Sequence, residues 1–269
     1  MSTMTAAMIG QWAHAHEQAR RTSTQIEPPS FAHPEMDLDD AYAIQQAWVE
    51  LQQTDGARIV GHKIGLTSRA MQASMQINEP DFGVLLDHMI FPDGAELRTD
   101  QFCDPKIEVE LAFVLGRPLA GLDVTMLDVL SATEYVLPAL ELIDARSYRV
   151  HPDLKRARTV RDTIADNAAD AGVIMGGRPI GPREIDLRWV AALAYRNGTI
   201  EESGVAAAVL NHPANAVAWL ARRYTAVGRR LEAGQIVLSG SFTRPLDARG
   251  GDVFHVDYGS LGAITCRFV

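Results

Sequence analysis

Lys106-Ile-Glu-Val-Glu-Leu-Ala-Phe-Val-Leu115 and Val136-Leu-Pro-Ala-Leu-Glu-Leu-Ile143 decide how this chain is read. Strand residues two apart share a face, so Glu108 and Glu110 project side by side, while Ile107, Val109, Leu111 and Phe113 take the other face. Alternation of this kind by itself describes a strand with one wet side. Glu141 does not fit that description. Its neighbours Leu140, Leu142 and Ile143 are apolar on both faces, as in a strand covered on each side. Like charges at close range repel, and an unpaired buried carboxylate is costly. A divalent cation removes both problems. Oxygen ligands without paired histidines favour a hard ion, Mg²⁺ or Mn²⁺, over zinc. Three carboxylates also leave room in an octahedral shell for waters or a chelating substrate.

Outward from these strands, the texture changes along the chain. Ala6 to Arg21 is alanine-rich and reads as a helix. Pro28-Pro29 and Pro34 mark a loop, and Asp37 to Leu51 reads as a second helix with acidic residues at its start. Ala57 to Gly65 reads as a strand and Thr67 to Met75 as a short helix capped by Thr67 or Ser68. Asn197-Gly198 predicts a tight hairpin. Asn211 is the expected cap of a helix with Pro213 in its first turn. Gln235 to Ser239, Asp252 to Tyr258 and Ala263 to Phe268 read as closing strands. The spacing predicts an α+β chain with a helical N-terminal segment (1–56) followed by a strand-rich catalytic domain (57–269). It does not show the regular βαβ alternation of a doubly wound fold.

The bulk numbers fit a globular enzyme. Of 269 residues, 25 are basic and 34 acidic, for a formal net charge of −9, and no basic block offsets this. A general nucleic-acid binder is therefore not expected. No apolar run reaches membrane-spanning length, and the opening residues lack a basic stretch followed by a long apolar core. Cys103 and Cys266 lie far apart without metal-type spacing, which suits a reducing, cytoplasmic setting. Neither a Gly-x-Gly-x-x-Gly nor a Walker sequence supports a nucleotide cofactor. There is no Gly-x-Ser-x-Gly elbow.

Four further residues carry candidate chemistry. Lys63, on a strand ending in glycines, suits a role as acid, base or electrostatic clamp beside a carboxylate–metal centre. Asp81, after Glu79-Pro80, is expected on a loop that brings acid–base chemistry on a mobile lid. Ser241 and Thr243, in Gly240-Ser-Phe-Thr243 after an apolar strand, offer backbone N–H groups and hydroxyls to a carboxylate. His62, His88, His151, His212 and His255 show no ligand spacing and read as polar or packing residues. The four tryptophans, Trp12, Trp48, Trp189 and Trp219, are expected in the core.

Gly61-His-Lys-Ile-Gly-Leu-Thr-Ser68, Glu79-Pro-Asp-Phe-Gly83, Lys106-Ile-Glu-Val-Glu110, Pro138-Ala-Leu-Glu-Leu-Ile-Asp144, Asp166-Asn-Ala168 and Leu238-Ser-Gly-Ser-Phe-Thr243 run through nearly the whole chain in this order. Together they resemble the fumarylacetoacetase superfamily, on its hydratase–decarboxylase branch. The resemblance implies a mixed β-roll of the fumarylacetoacetase C-terminal type and a homo-oligomer. It also implies Mg²⁺ or Mn²⁺ on Glu108, Glu110 and Glu141, with Lys63 and Asp81 beside the substrate. Pro138 to Arg146, Leu210 to Asn215 and Asp252 to Gly259 carry a closer likeness to hydratases of a seven-carbon 2-oxo diacid. The implied reaction adds water at C4 of 2-oxohept-3-ene-1,7-dioate; the alternatives are hydration of a five-carbon monoacid and an oxalocrotonate-type decarboxylation. Association with a related decarboxylase or hydratase is a further implication. The hydrolytic branch uses a histidine–glutamate pair on a lid helix, whereas Thr67 to Phe82 has Glu79 and no histidine, which argues against C–C hydrolysis. Related pentenoate hydratases carry a serine near Ala169. The distal carboxylate of a diacid needs a cation, for which Arg69, Arg146, Arg156, Arg158 and Arg161 are candidates by position.

Overall fold

The computed structural model describes residues 3–269. The N-terminal segment forms α1 (Ala6–Thr22), a single helical turn α2 (Pro29–Ala32) in the proline-rich stretch expected to be loop, and α3 (Leu38–Thr54). A capping box fixes the start of α3, where Asp37 accepts from the Asp40 N–H and Asp40 from the Asp37 N–H. There follow β1 (Ile59–Gly65), α4 (Arg69–Ser74), β2 (Asp81–Leu86), β3 (Ile90–Pro92), β4 (Ala95–Leu97), β5 (Pro105–Leu115), α5 (Met126–Ala132) and β6 (Thr133–Asp144). The remainder comprises α6 (Val160–Ala165), β7 (Asp170–Met175), β8 (Ala191–Arg196), β9 (Thr199–Val205), α7 (Pro213–Ala226), β10 (Ile236–Leu238), β11 (Leu246–Asp247), β12 (Val253–Asp257) and β13 (Ala263–Phe268).

The strands build two sheets. The larger runs β2-β1-β10-β5-β6-β7-β3 with β11 on β5, and the smaller runs β4-β13-β12-β8-β9. Parallel pairings β1–β10, β3–β7 and β4–β13 among antiparallel neighbours make both sheets mixed. This is the α+β fold expected, a mixed β-roll behind a helical N-terminal segment. Between β8 and β9 the two-residue turn holds Asn197 and Gly198 at φ of 54° and 82°, the left-handed geometry such a hairpin needs.

The alternation on β5 is resolved by what lies on each face. Ile107, Val109, Leu111 and Phe113 are wholly buried in the main core with Val217 and Leu220 of α7 and Phe254, Val256 and Ile264 of the smaller sheet. Each such side chain contributes roughly 1.5–3 kcal/mol by leaving water. The other face of the larger sheet carries a small apolar group, Leu85, Ala112, Ala139, Val173 and Leu238, and beside it the carboxylates.

Two local expectations are corrected. The cap of α7 is His212, whose Nδ1 accepts from the Ala214 N–H, because Asn211 sits in a left-handed turn at φ 65° and cannot present its side chain as a cap. Trp189 is 72 % exposed; Leu187 of the same short turn takes the core position instead.

Candidate metal centre and its surroundings

The register of β5 on β6 sets Glu108 directly opposite Glu141, and Glu110 opposite Ala139. Opposed residues of an antiparallel pair point to one face, so the three glutamates converge. One carboxylate oxygen from each lies within 4.8 Å of the other two. Glu110 and Glu141 are fully buried and Glu108 is partly so. Glu110 Oε1 and both oxygens of Glu141 find no hydrogen-bond partner among the described residues. Buried polar atoms are rarely left in that condition. All-oxygen, acidic, convergent and under-satisfied, the donor set fits a hard dication.

The protonation energetics agree with that fit. Burial, reinforced by Glu141, pushes Glu108 up to about 7 and Glu110 well above the usual carboxylate range. Glu110 is oriented by the Gly240 N–H, which donates to its Oε2 at 2.7 Å. The backbone donor expected from the Gly240–Thr243 turn thus serves a protein carboxylate. Tyr258, the residue after β12, reaches the carbonyls of Ala139 (2.7 Å) and Glu110 (3.2 Å) and ties β5 to β6 at this point.

Lys63 stands on β1, across from Gly83 of β2. Its Nζ lies 3.0 Å from Glu141 Oε1, an ion pair without hydrogen-bond alignment. Burial opposes the Lys63 charge, but Glu141, Asp81, Glu108 and Asp170 outweigh it and raise the ammonium's pKa. Asp81 is not on a mobile loop. It is the first residue of β2, 2 % exposed, opposite Gly65 in the register. Strand pairing overrides the turn character of Glu79-Pro80. A Cβ on Gly65 would stand 2.2 Å from Asp81 Oδ1 and 3.3 Å from Lys63 Nζ, so the glycine makes the space the two groups share. Burial pushes the Asp81 carboxyl up, with Lys63 opposing.

The two hydroxyls part company. Ser241 Oγ donates within reach of the carbonyls of Val109 and Thr243 and accepts from the Thr243 N–H, so it holds the turn together. Thr243 Oγ1 is buried and has no partner among the described residues.

Sequence reading passed over the far side of the cluster. Asn167, Ala168 and Ala169 are three successive non-glycine residues at φ of 52°, 52° and 61°, a conformation costing about 1–2 kcal/mol per residue. The surroundings impose it. The Asn167 side chain exchanges two hydrogen bonds with the Val84 backbone (2.8 and 2.9 Å), and Arg146 Nη2 donates to the carbonyls of Asp166 and Asp170. Ala169 is thereby locked in this turn. The turn and the bulge between Leu142 and Ile143 set Asp170 opposite Ile143, on the face that also carries Glu141. Asp170 is wholly buried, its oxygens meet no well-aligned donor among the described residues, and burial together with Glu141 raises its carboxyl well above the ordinary range. The one available signal was an acidic residue opening an apolar strand directly after the Asp166-Asn-Ala168 motif.

The surface cleft of about 490 Å³ between α3 and α7, lined by Tyr42, Phe82 and Arg223, does not include the glutamates. The chemistry argues for the buried cluster over that cleft, since the perturbed carboxylates and the buried lysine meet in the cluster, whereas the cleft offers tyrosines raised by burial.

Comparison with known proteins agrees with this geometry. The Fumarylacetoacetate (FAA) hydrolase C-terminal family matches residues 53–269, and the chain belongs to that family. Within it, the chain is 61% identical over 253 residues to the 2-oxo-hept-4-ene-1,7-dioate hydratase of Escherichia coli, covering 94% of this chain and 95% of that one. It is 38% identical over 265 residues to the 2-keto-4-pentenoate hydratase of Paraburkholderia xenovorans (strain LB400), covering 98% and 96%. In structure it is similar to the 4-oxalocrotonate decarboxylase from Pseudomonas putida G7 complexed with magnesium and adipate, with a TM-score of 0.94, 34% identity and full coverage of both chains. Among the described residues, no helix is long and apolar enough to cross a membrane.

Proposed function

We propose that this chain is a divalent-metal-dependent hydro-lyase that adds water to an unsaturated seven-carbon 2-oxo diacid. The observation that carries the reading is the convergence of Glu108, Glu110 and Glu141, with Lys63 and Asp81 at their side. The hydratase names of the relatives support the reaction class, and the 61% relative supports the seven-carbon diacid. The magnesium complex of the related decarboxylase supports Mg²⁺ as the ion, with Mn²⁺ the alternative.

Glu108, Glu110 and Glu141 would hold the ion. When bound, it supplies a Lewis acid that draws electron density toward the substrate's 2-oxo oxygen. The chain's own groups do the rest. The Lys63 ammonium holds the carboxylate and oxo end in place. In a 4-ene substrate the double bond is not conjugated with the ketone, so it must first move. Loss of a proton from C3 and its return at C5 place the bond between C3 and C4. Asp81, whose carboxyl is pushed up by burial, is suited to move that proton. The oxygen of water then bonds to C4 and a proton returns to C3. The product is 4-hydroxy-2-oxoheptane-1,7-dioate, the substrate plus one water. Thr243 contributes its unpartnered hydroxyl to the substrate carboxylate, and Ser241 shapes the turn that presents it.

A cytoplasmic homo-oligomer, able to associate with a related decarboxylase or hydratase, completes the reading; the free thiols Cys103 and Cys266 suit a reducing compartment. The test is an ultraviolet assay of the purified chain with Mg²⁺, offering five-carbon monoacid and seven-carbon diacid dienols. A product one water heavier than substrate, lost on chelation and restored by Mg²⁺, is the expected result. Release of CO₂ in place of hydration would assign the chain to the decarboxylases.

A further inference from the structure

The five arginines that sequence position nominated for a distal carboxylate are used very differently. Arg146 is buried against Asp166 through its Nε–Nη2 edge and lies over the Trp48 ring at 4.8 Å. Arg156 stacks on Phe31, and Arg161 donates to the carbonyls of Pro34 and Met36. Arg69 is exposed at the start of α4, where water screens a guanidinium. Arg158 is the exception. It is only 9 % exposed, yet Nη1 alone is engaged, donating to Ser147 O, Ser147 Oγ and Asp166 Oδ2 at 3.4, 3.3 and 3.1 Å. Its Nε and Nη2 donate to no group among the described residues. Arg146 presents that same edge to Asp166, and Arg149 presents it to Asp104. The partner of Arg158, Asp166, is already shared with Arg146.

Placement points the same way. Arg149 and Arg158 lie on the segment that leaves β6 three residues after Glu141 and folds back through the Val150–Ala157 bridge. Arg158 is among the charges acting on Asp81, and Arg149 among those acting on Glu108. Burial lowers the Arg158 pKa against the pull of Asp166, and the neighbouring charge of Arg149 adds to the lowering. Arg158 is buried and Arg149 half-buried, and the Arg158 N–H donates to the Arg149 carbonyl at 3.0 Å, so the ribbon carries two neighbouring cations; such a pair favours an anion, and a planar fork suits a carboxylate.

We infer that the Nε–Nη2 edge of Arg158, with Arg149 beside it, receives the far carboxylate of a 2-oxo diacid whose near end lies at Glu108, Glu110 and Glu141. This rests on the proposed hydratase reading and adds the residue that selects a diacid over a monoacid. The test compares kcat/KM for seven-carbon diacid and five-carbon monoacid dienols in the Mg²⁺-loaded wild type, Arg158→Lys and Arg158→Gln. The diacid-to-monoacid ratio falls by about 10-fold in Arg158→Lys, which keeps the charge beside Asp166 and loses the fork. It falls by about 100-fold in Arg158→Gln, the loss expected for hydrogen bonds to a charged group. Damage to the fold alone lowers both substrates together and leaves the ratio unchanged; an unchanged ratio in folded Arg158→Lys overturns the inference. If the wild type turns over neither dienol, the hydratase reading fails separately. Calorimetry with adipate and with pentanoate then decides the arginine's role: weaker adipate binding in Arg158→Lys with unchanged pentanoate binding supports it, and equal adipate binding in the two proteins refutes it.

Discussion

Lys63 Nζ lies 3.0 Å from Glu141 Oε1, and both side chains are almost wholly removed from solvent. The lysine is ringed by Glu141, Asp81, Glu108 and Asp170. It therefore partly neutralises an acidic cluster, and in the proposed reaction it also holds the substrate.

Lys63→Met should lower kcat by about 10²–10⁴-fold in the Mg²⁺-loaded protein, the range of a lost acid–base or charge-stabilising group. In metal-free protein it also leaves Glu141 without its cation, a change that costs about 3–5 kcal/mol for a buried pair. Added Mg²⁺ should shrink that stability loss. Steady-state rates and urea unfolding, each with and without Mg²⁺, read the two effects separately.

Glu141→Gln removes a charge from the middle of the triad while keeping its shape. Mg²⁺ affinity by calorimetry should drop by at least about 100-fold, since even residues outside the ligand set cost up to that much. Equal Mg²⁺ affinity in wild type and variant would remove Glu141 from the ion's ligands.

Gly65→Ala tests the shared space. The added methyl would stand 2.2 Å from Asp81 Oδ1, so Asp81 must move. Misplacement of a reacting group by about 1 Å costs on the order of 100-fold in rate. Gly65 lies in a regular strand, with no left-handed φ. The expected signature is a large loss in kcat with a far smaller change in Tm.

The pH dependence has a definite sign. Glu108 titrates near 4.5 in the unfolded chain and at about 7 when folded without metal, because burial and Glu141 oppose its charge. Between those values the folded state holds a proton the unfolded chain has lost. Its contribution is fully present below about 4.5 and is lost as pH rises through 7. Urea unfolding of metal-free wild type should decline over this window relative to Glu108→Gln. With saturating Mg²⁺ the trend should reverse, because the ion binds the deprotonated carboxylates.

Arg146→Met removes the Nε and Nη2 donors that serve Asp166 and the carbonyls on either side of the left-handed turn at Asn167–Ala169, and leaves Asp166 with Arg158 and the residue-146 backbone N–H. An uncompensated buried charge costs about 3–5 kcal/mol, and because Arg158 still faces Asp166 the expected loss is about 2–3 kcal/mol. Chemical denaturation measures it, and a loss below about 1 kcal/mol would show that the turn holds itself.

Much of this was legible from one-dimensional pattern. Alternation at Ile107–Phe113 and the misplaced acid at Glu141 already named one face and its three carboxylates, because side-chain direction on a strand follows from a period of two. Asn197-Gly198 announced its hairpin by the same local logic. Glu79-Pro80 is a strong turn signal and by itself predicts a loop at Asp81; only pairing with Gly65 draws that residue into the sheet.

Residue type and local periodicity by themselves determined the strand-rich domain, the helical start, the acidic trio and its preference for a hard cation. Tertiary structure decided which groups meet. It brought Lys63 to Glu141, tied Ser241 to backbone while leaving the Thr243 hydroxyl unbonded among the described residues, set Asp170 on the glutamate face through three left-handed residues, and buried Arg158 with only its Nη1 engaged. These outcomes depend on strand register and on partners up to a hundred or more residues away in sequence. No local pattern encodes such pairings, because they are fixed only when the sheet and the core close together.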